Sequence, residues 1–262
     1  MLLRLAVWTI LGFLLLPLLI IVLFSFHASP ALSFPFTGFS WRWYGELMSN
    51  QLLGAAVLKS VTIAFFTAVV TMLLGATASL AWLNFGLRAR VFIEALTITP
   101  IALPGLFVGV ALLVLFAEAG VQLSTVTIVI SHVVISIPIL IVAMKARLTL
   151  FDPALEEAAR DLGASRFQTF ARVTLPLIWP TLVSSAILSF AISFDEFVVT
   201  SFVAGTETTL PMYIWSMMRR TVTPLINAIS TLALVFSTLI LVGAWAIERA
   251  RRNSSIANRD IP

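Results

Sequence analysis

Asp195 and Glu196 are two adjacent carboxylates inside an apolar run, residues 182–203. An ionised carboxylate at the centre of a membrane helix costs about 2.5–3.5 kcal/mol on insertion scales, so it normally faces a partner charge, a cavity or a pathway. The chemistry on offer is electrostatic attraction of a cation. Neighbours on a helix point about 100° apart. One of the pair is therefore expected to face a pathway and the other a structural partner, with Asp195 the first choice and Phe194 beside it. A buried helix–helix hydrogen bond, or a carboxylate at the outer interface, fits the same residues. Other chemistries are poorly served. There is no cysteine, so no thiolate nucleophile or thiolate metal site, and two histidines are too few for a metal cluster. Ser131 and His132 are sequence neighbours whose side chains diverge on a helix, and neither G-x-S-x-G nor H-E-x-x-H occurs, which disfavours an intramembrane enzyme. His132 is read as a satisfied packing residue.

These carboxylates need a scaffold, and composition says which kind. The 262 residues are 60% hydrophobic and 11% charged, with mean hydropathy +1.06. A soluble domain cannot hide that much apolar surface, so the chain reads as an all-α polytopic membrane protein. Six runs are long enough to span, at 5–26, 61–83, 92–116, 126–144, 182–203 and 228–247. The first is too long for the apolar core of a signal peptide and is expected to be retained. A connection broken by Pro30, Pro35 and Gly38 leads to Trp41, Trp43 and Tyr44, which read as an interfacial helix over 41–50. In the second run Thr71, Gly75 and Ser79 form a small-residue stripe that admits a close neighbour. The third is interrupted by Pro100, Pro104 and Gly105, with Gly109 completing a G-x3-G. Such a helix is kinked or unwound and must face protein or a cavity. Organisation is therefore expected as 1–60 (first helix and outer loop), 61–248 (core, with a polar loop at 146–180) and 249–262 (a mobile tail).

The polar loop carries the densest local signals. Asp152 is a good N-cap and Pro153 suits the first helical position. Leu155, Ala158, Ala159 and Leu162 recur on one face. Glu156 and Arg160 are placed to pair one turn apart. Gly163 stops the helix where a left-handed residue is cheap. Ser165 to Gln168 reads as a capping box opening a second short helix, which Leu175-Pro176 is expected to end. On residue physics alone, this helix–turn–helix fits equally a loop tucked against its own domain or a helix that docks on a soluble partner.

Charge bias favours one orientation. With six spans both termini share a side, and twelve of the sixteen Lys and Arg residues lie there, against Arg42, Lys59, Arg219 and Arg220 on the other. The positive-inside rule places that side, with the polar loop, in the cytoplasm.

Glu157, Ala158, Ala159, Gly163, Leu175 and Pro176 match the spacing of the E-A-A-x3-G-x9-I-x-L-P loop of bacterial ABC-importer permeases, with Val173 in place of isoleucine. Together with the proline-rich third run, Ser131-His132, Asp195-Glu196 and Leu210-Pro211, the chain resembles the second inner-membrane permease of spermidine/putrescine-type importers over nearly its whole length. The resemblance implies a type I importer fold with six helices. It implies a second permease, two cytoplasmic ATPases carrying ATP and Mg, and an outside substrate-binding protein, with no nucleic acid. It assigns ATPase coupling to Glu157, Ala158, Ala159, Arg160, Leu162, Gly163 and Pro176, and a substrate pathway to Pro104, Gly105, Phe194, Asp195 and Glu196. Many polyamine members carry an acid directly after the third-span proline, where this chain has Gly105. The chain has no G-x4-G-K-[ST], so its energy is expected from a partner and no cofactor of its own is expected. An ion-coupled secondary transporter would also place a carboxylate and a broken helix in the membrane, but leaves the loop match unexplained.

Overall fold

A computed structural model describes residues 1–31, 36–82, 85–220 and 223–257. Pro35, expected to break the first connection, and Arg259 in the tail lie outside the described residues. Helices account for nearly all of the architecture: α1 Leu2–Phe24, α2 Arg42–Ser49, α3 Gln51–Trp82, α4 Leu87–Ala102, α5 Gly105–Glu118, α6 Thr125–Thr149, α7 Ala154–Asp161, α8 Arg166–Thr169, α9 Leu175–Asp195, α10 Val198–Val203, α11 Leu210–Met218 and α12 Pro224–Ala257. Four are long and apolar enough to cross a membrane, and five if the pair α4/α5 counts as one bent span. The apolar stretch Pro224–Ile240 of α12 is shorter.

Two compact units share the chain, one of Met1–Lys59 with Thr208–Leu239, the other of Ser60–Glu207 with Ile240–Pro262. In the first, α1 turns its apolar side chains outward, with Trp8 and Phe13 more than 70% exposed, as lipid contact requires. The connection after α1 is pinned by polar groups. The Trp43 indole N–H donates to the His27 carbonyl at 2.6 Å. Ser25 Oγ and Tyr44 Oη lie 2.7 Å apart. Asn50 caps α3 by accepting the Leu53 N–H and donates to Tyr213 of α11. The aromatic helix expected over 41–50 is α2, with Trp43 buried and Trp41 exposed.

The second unit packs α3, α4, α9 and α10 around α6. Leu140, Met144 and Leu148 of α6 meet Ile178 and Leu182 of α9, with Met72, Ala76 and Leu80 of α3 against them. The expected small-residue stripe is where α3 meets α6: a Cβ on Gly75 would lie 2.5 Å from Leu140 Cδ2. The interrupted third run is two helices bent by 102° at Leu103-Pro104. Past the bend, a Cβ on Gly109 would lie 2.6 Å from the Phe202 ring and 3.3 Å from the Val199 Cα. The glycine is there because the α10 backbone comes that close.

Two expectations are corrected, at Leu175-Pro176 and in the run 182–203. The helix opened by Ser165 does not end at Leu175-Pro176. It passes through a π-helical turn, Phe170–Thr174, into α9. Pro176 has no N–H to give to the ladder, and the π-helical turn just before it is where the helix changes register. The widened turn closes through the Leu175 N–H to the Phe170 carbonyl. The run 182–203 is not one helix but breaks at Glu196-Phe197. Helix α6 continues past the apolar run 126–144 to Thr149, carrying Lys145 and Arg147 on its last turns. The tail from Glu248 is helical through Ala257.

Replacing Gly109 with Ala should therefore cost about 1–3 kcal/mol by overpacking. Gly54→Ala is the control, because nothing lies within 4 Å of its added methyl. Thermal unfolding of the detergent-solubilised chain should show a lower midpoint for the first variant and an unchanged or higher one for the second.

Candidate functional site

The polar loop folds as the residue types demand. The Asp152 carboxylate accepts the Ala154 N–H at 3.0 Å. Gly163 takes φ +87°, its N–H returning to Arg160 O at 2.8 Å and that of Ala164 to Ala159 O at 3.0 Å. This pair of bonds closes the helix end with its carbonyls satisfied. Ser165 and Gln168 form the reciprocal capping box. Glu156 pairs with Arg160 at 3.3 Å and also accepts the Thr174 hydroxyl, tying α7 to the π turn. Arg147 Nε donates to the Leu177 carbonyl at 3.0 Å, fixing α9 beside the end of α6.

The same loop leaves its apolar residues outside. No residue of α7 is buried, Leu162 is 90% exposed and Phe167 78%. Glu157, Ala158 and Arg160 are exposed and Ala159 is half-buried. A backbone this well satisfied, carrying a bare apolar ridge, is built to stand without being tucked away.

At the other end of α9, eighteen residues past Leu177 and so about 27 Å along the helix, lies the break with the two carboxylates. Asp195 is the exposed last residue of α9. Glu196 is extended, at φ −70° and ψ 119°, and its carboxylate accepts the Val199 N–H of α10 at 2.8 Å. The two are thus not neighbours on one helix. Their divergence comes from the break, and the Glu196 carboxylate holds the start of α10. Phe194 is buried and stacks on Phe190. Gly105 opens α5, where a Cβ would be 3.7 Å from Val198, so the structure brings Pro104 and Gly105 beside the carboxylate break. The loop residues and the carboxylates are not brought together; α9 separates them.

His132 of α6 is fully hydrogen-bonded, with Nδ1 2.7 Å from Ser193 Oγ and Nε2 2.8 Å from Thr200 Oγ1. Thr127, one turn earlier, donates to the Val203 carbonyl at 2.8 Å. A second polar group escaped the sequence reading. Glu94 of α4 pairs with Lys145 of α6, and the Trp82 ring lies under both Lys145 and Arg90, at 4.9 and 4.6 Å. Glu94, Lys145 and Trp82 border a cleft of about 220 Å³ with Ser79, Thr97 and Ile141. A carboxylate near the start of one run and a lysine near the end of another were the available signal.

A family model described as binding-protein-dependent transport system inner membrane component matches residues 71–253. The chain belongs to this family. It is a transport subunit and a multi-pass inner-membrane protein, and membership implies an ATPase and a substrate-binding protein as partners. The permease is 34% identical over 239 residues to the spermidine/putrescine transport system permease protein PotC of Escherichia coli (strain K12), covering 91% of this chain and 90% of that one. It is 35% identical over 257 residues to the putrescine transport system permease protein PotI of the same strain, covering 95% and 90%. Its fold is that of a permease in the crystal structure of a bacterial ABC transporter involved in the import of the acidic polysaccharide alginate, with TM-score 0.76, 15% identity, and 93% and 94% of the two chains covered.

Because Gly163 holds a left-handed conformation, Gly163→Ala should cost about 1–2 kcal/mol locally. In amide hydrogen exchange on the permease, position 163 and Ala164 should exchange about 5-fold faster or more, and Gly163→Asn should show a smaller change.

Proposed function

We propose that this permease translocates a polyamine of the putrescine or spermidine type. It would work as one of two permease subunits driven by two cytoplasmic ATPases and fed by a binding protein on the outer side. The carrying observation is similarity along nearly the whole chain to two permeases named for those substrates. The six spans are α1, α3, the bent pair α4/α5, α6, α9 with α10, and α12, with both termini cytoplasmic in keeping with the charge bias. The chain brings no nucleotide site, and ATP and Mg belong to the partner.

The exposed ridge of α7, from Glu157 to Gly163, docks in a groove of the ATPase. Its caps keep it rigid, so closure of the two ATPases moves the hairpin as a body, and Pro176 lies where that motion enters α9. At the far end Asp195 attracts the cationic substrate. With Gly105 in place of an acid, the negative charge of the outer pathway rests more heavily on Asp195 and Glu196 than in relatives that have that acid.

The test is ATPase activity of the assembled importer in nanodiscs, titrated with binding protein loaded with putrescine or spermidine. Glu157→Lys should abolish stimulation by the loaded binding protein, because it reverses a charge on the docking ridge. Asp195→Asn should keep ATPase activity but lower polyamine uptake about 10-fold or more. Uptake by this chain alone in liposomes without ATP would overturn the importer reading in favour of ion coupling. An assembled complex that no polyamine stimulates would overturn the substrate class.

A further inference from the structure

The break in the fifth span has neither a proline nor a glycine behind it. Helices kink sharply at proline, glycine pairs, π-bulges or inserted side chains, yet residues 190–203 contain neither proline nor glycine. Val, Phe, Ser and Thr around the break would continue a helix with little penalty. Within the segment, the Glu196 carboxylate holds the start of α10; groups on neighbouring helices hold the rest.

The side chain placed to do so is His132. Its ring spans the break, with Nδ1 at Ser193 in the last turn of α9 and Nε2 at Thr200 in α10. All three side chains are at most 3% exposed. Proton directions follow from the bonds. The Thr200 hydroxyl donates its one hydrogen to the Glu196 carbonyl at 2.8 Å, so it must accept from Nε2–H. Nδ1 then carries the lone pair and accepts the Ser193 hydroxyl. Ser193, His132, Thr200 and the Glu196 carbonyl form a one-directional relay in which each polar group is used. That carbonyl is one of those the break sets free, and the relay satisfies it where lipid offers nothing. Glu196 satisfies one freed donor, the Val199 N–H.

We propose that His132 is a positioning residue that holds the fifth span broken, and thereby sets the direction in which Asp195 leaves α9. The inference deepens the transport reading and rests on it for the role of Asp195, though not for the geometry. A histidine that merely filled space would be matched by leucine, and its ring nitrogens would not need opposite proton roles.

The assembled importer supplies two readouts. The chain has no cysteine, so Leu188→Cys and Ser201→Cys, both at exposed sites, can carry a spin-label pair across the break. A continuous helix would set those backbones about 20 Å apart, and a bend shortens the separation. His132→Leu should shift the distance distribution toward the continuous-helix value. It should lower uptake of putrescine delivered by the binding protein about 10-fold, with basal ATPase activity retained. His132→Gln, which keeps an N–H for Thr200, should restore part of both. Thr200→Val, which removes the hydroxyl but keeps the shape, should act like His132→Leu, and the double variant should be no worse than either single one. An unchanged distance distribution and unchanged uptake in His132→Leu would overturn the proposal, as would additive losses in the double variant. Should His132→Leu fail to assemble, Thr200→Val decides in the same two ways. Absence of putrescine uptake by the wild type would count against the polyamine reading alone, because the distance measurement needs no substrate.

Discussion

A helix that bends or breaks frees backbone polar groups that need new partners, and the departures from regular helix in this permease are shaped by that constraint. Three departures matter, and each is satisfied differently. At Leu103-Pro104 the proline has no N–H to leave bare, and its carbonyl accepts from Phe107 at 2.9 Å. At Phe170–Thr174 the helix widens by one residue per turn instead of breaking, so the ladder reaches the proline already re-registered. At Glu196-Phe197 a carboxylate and a threonine hydroxyl take freed groups, and a histidine from another helix bonds that hydroxyl.

The third solution depends most on its surroundings. Helix α10 has six residues, far below the length at which a helix holds itself together in isolation. It exists because α5 closes against it at Gly109 and because α6 grips it at Thr127 and His132. Its exit is fixed too. Gly205, at φ +59°, leaves no room for a side chain against Leu123, and Thr125 donates to Glu207 at 3.0 Å. The carboxylate break is thus a property of three packed helices rather than of the segment that carries it.

That dependence marks what could be read in advance. The apolar runs were legible because membrane length and composition act residue by residue. The turn at Gly163 and the caps at Asp152 and Ser165 were legible because their partners lie within three or four positions. Pro176 misled because the same residue that stops a helix also opens one, and only the π turn before it decides. The break at Glu196-Phe197 was hidden because the groups packed around it, Gly109, Thr127 and His132, lie more than sixty positions away. Lys145 was visible as a charge near the end of a run, but Glu94, its partner 51 positions earlier, belongs to another helix. The divergence of the carboxylates was attributed to helical periodicity instead of to a break.

The π-helical turn has a mechanical consequence. Because it joins α8 to α9 without a gap, Arg166–Asp195 is one helical rod of 30 residues, about 45 Å from end to end. A tilt of roughly 5° about one end of such a rod carries the other end about 4 Å, the width of a methylene chain. A loop ended by a flexible stop at Pro176 would have absorbed the same tilt within a few backbone torsions. In this permease the loop and Asp195 stand at opposite ends of that one rod.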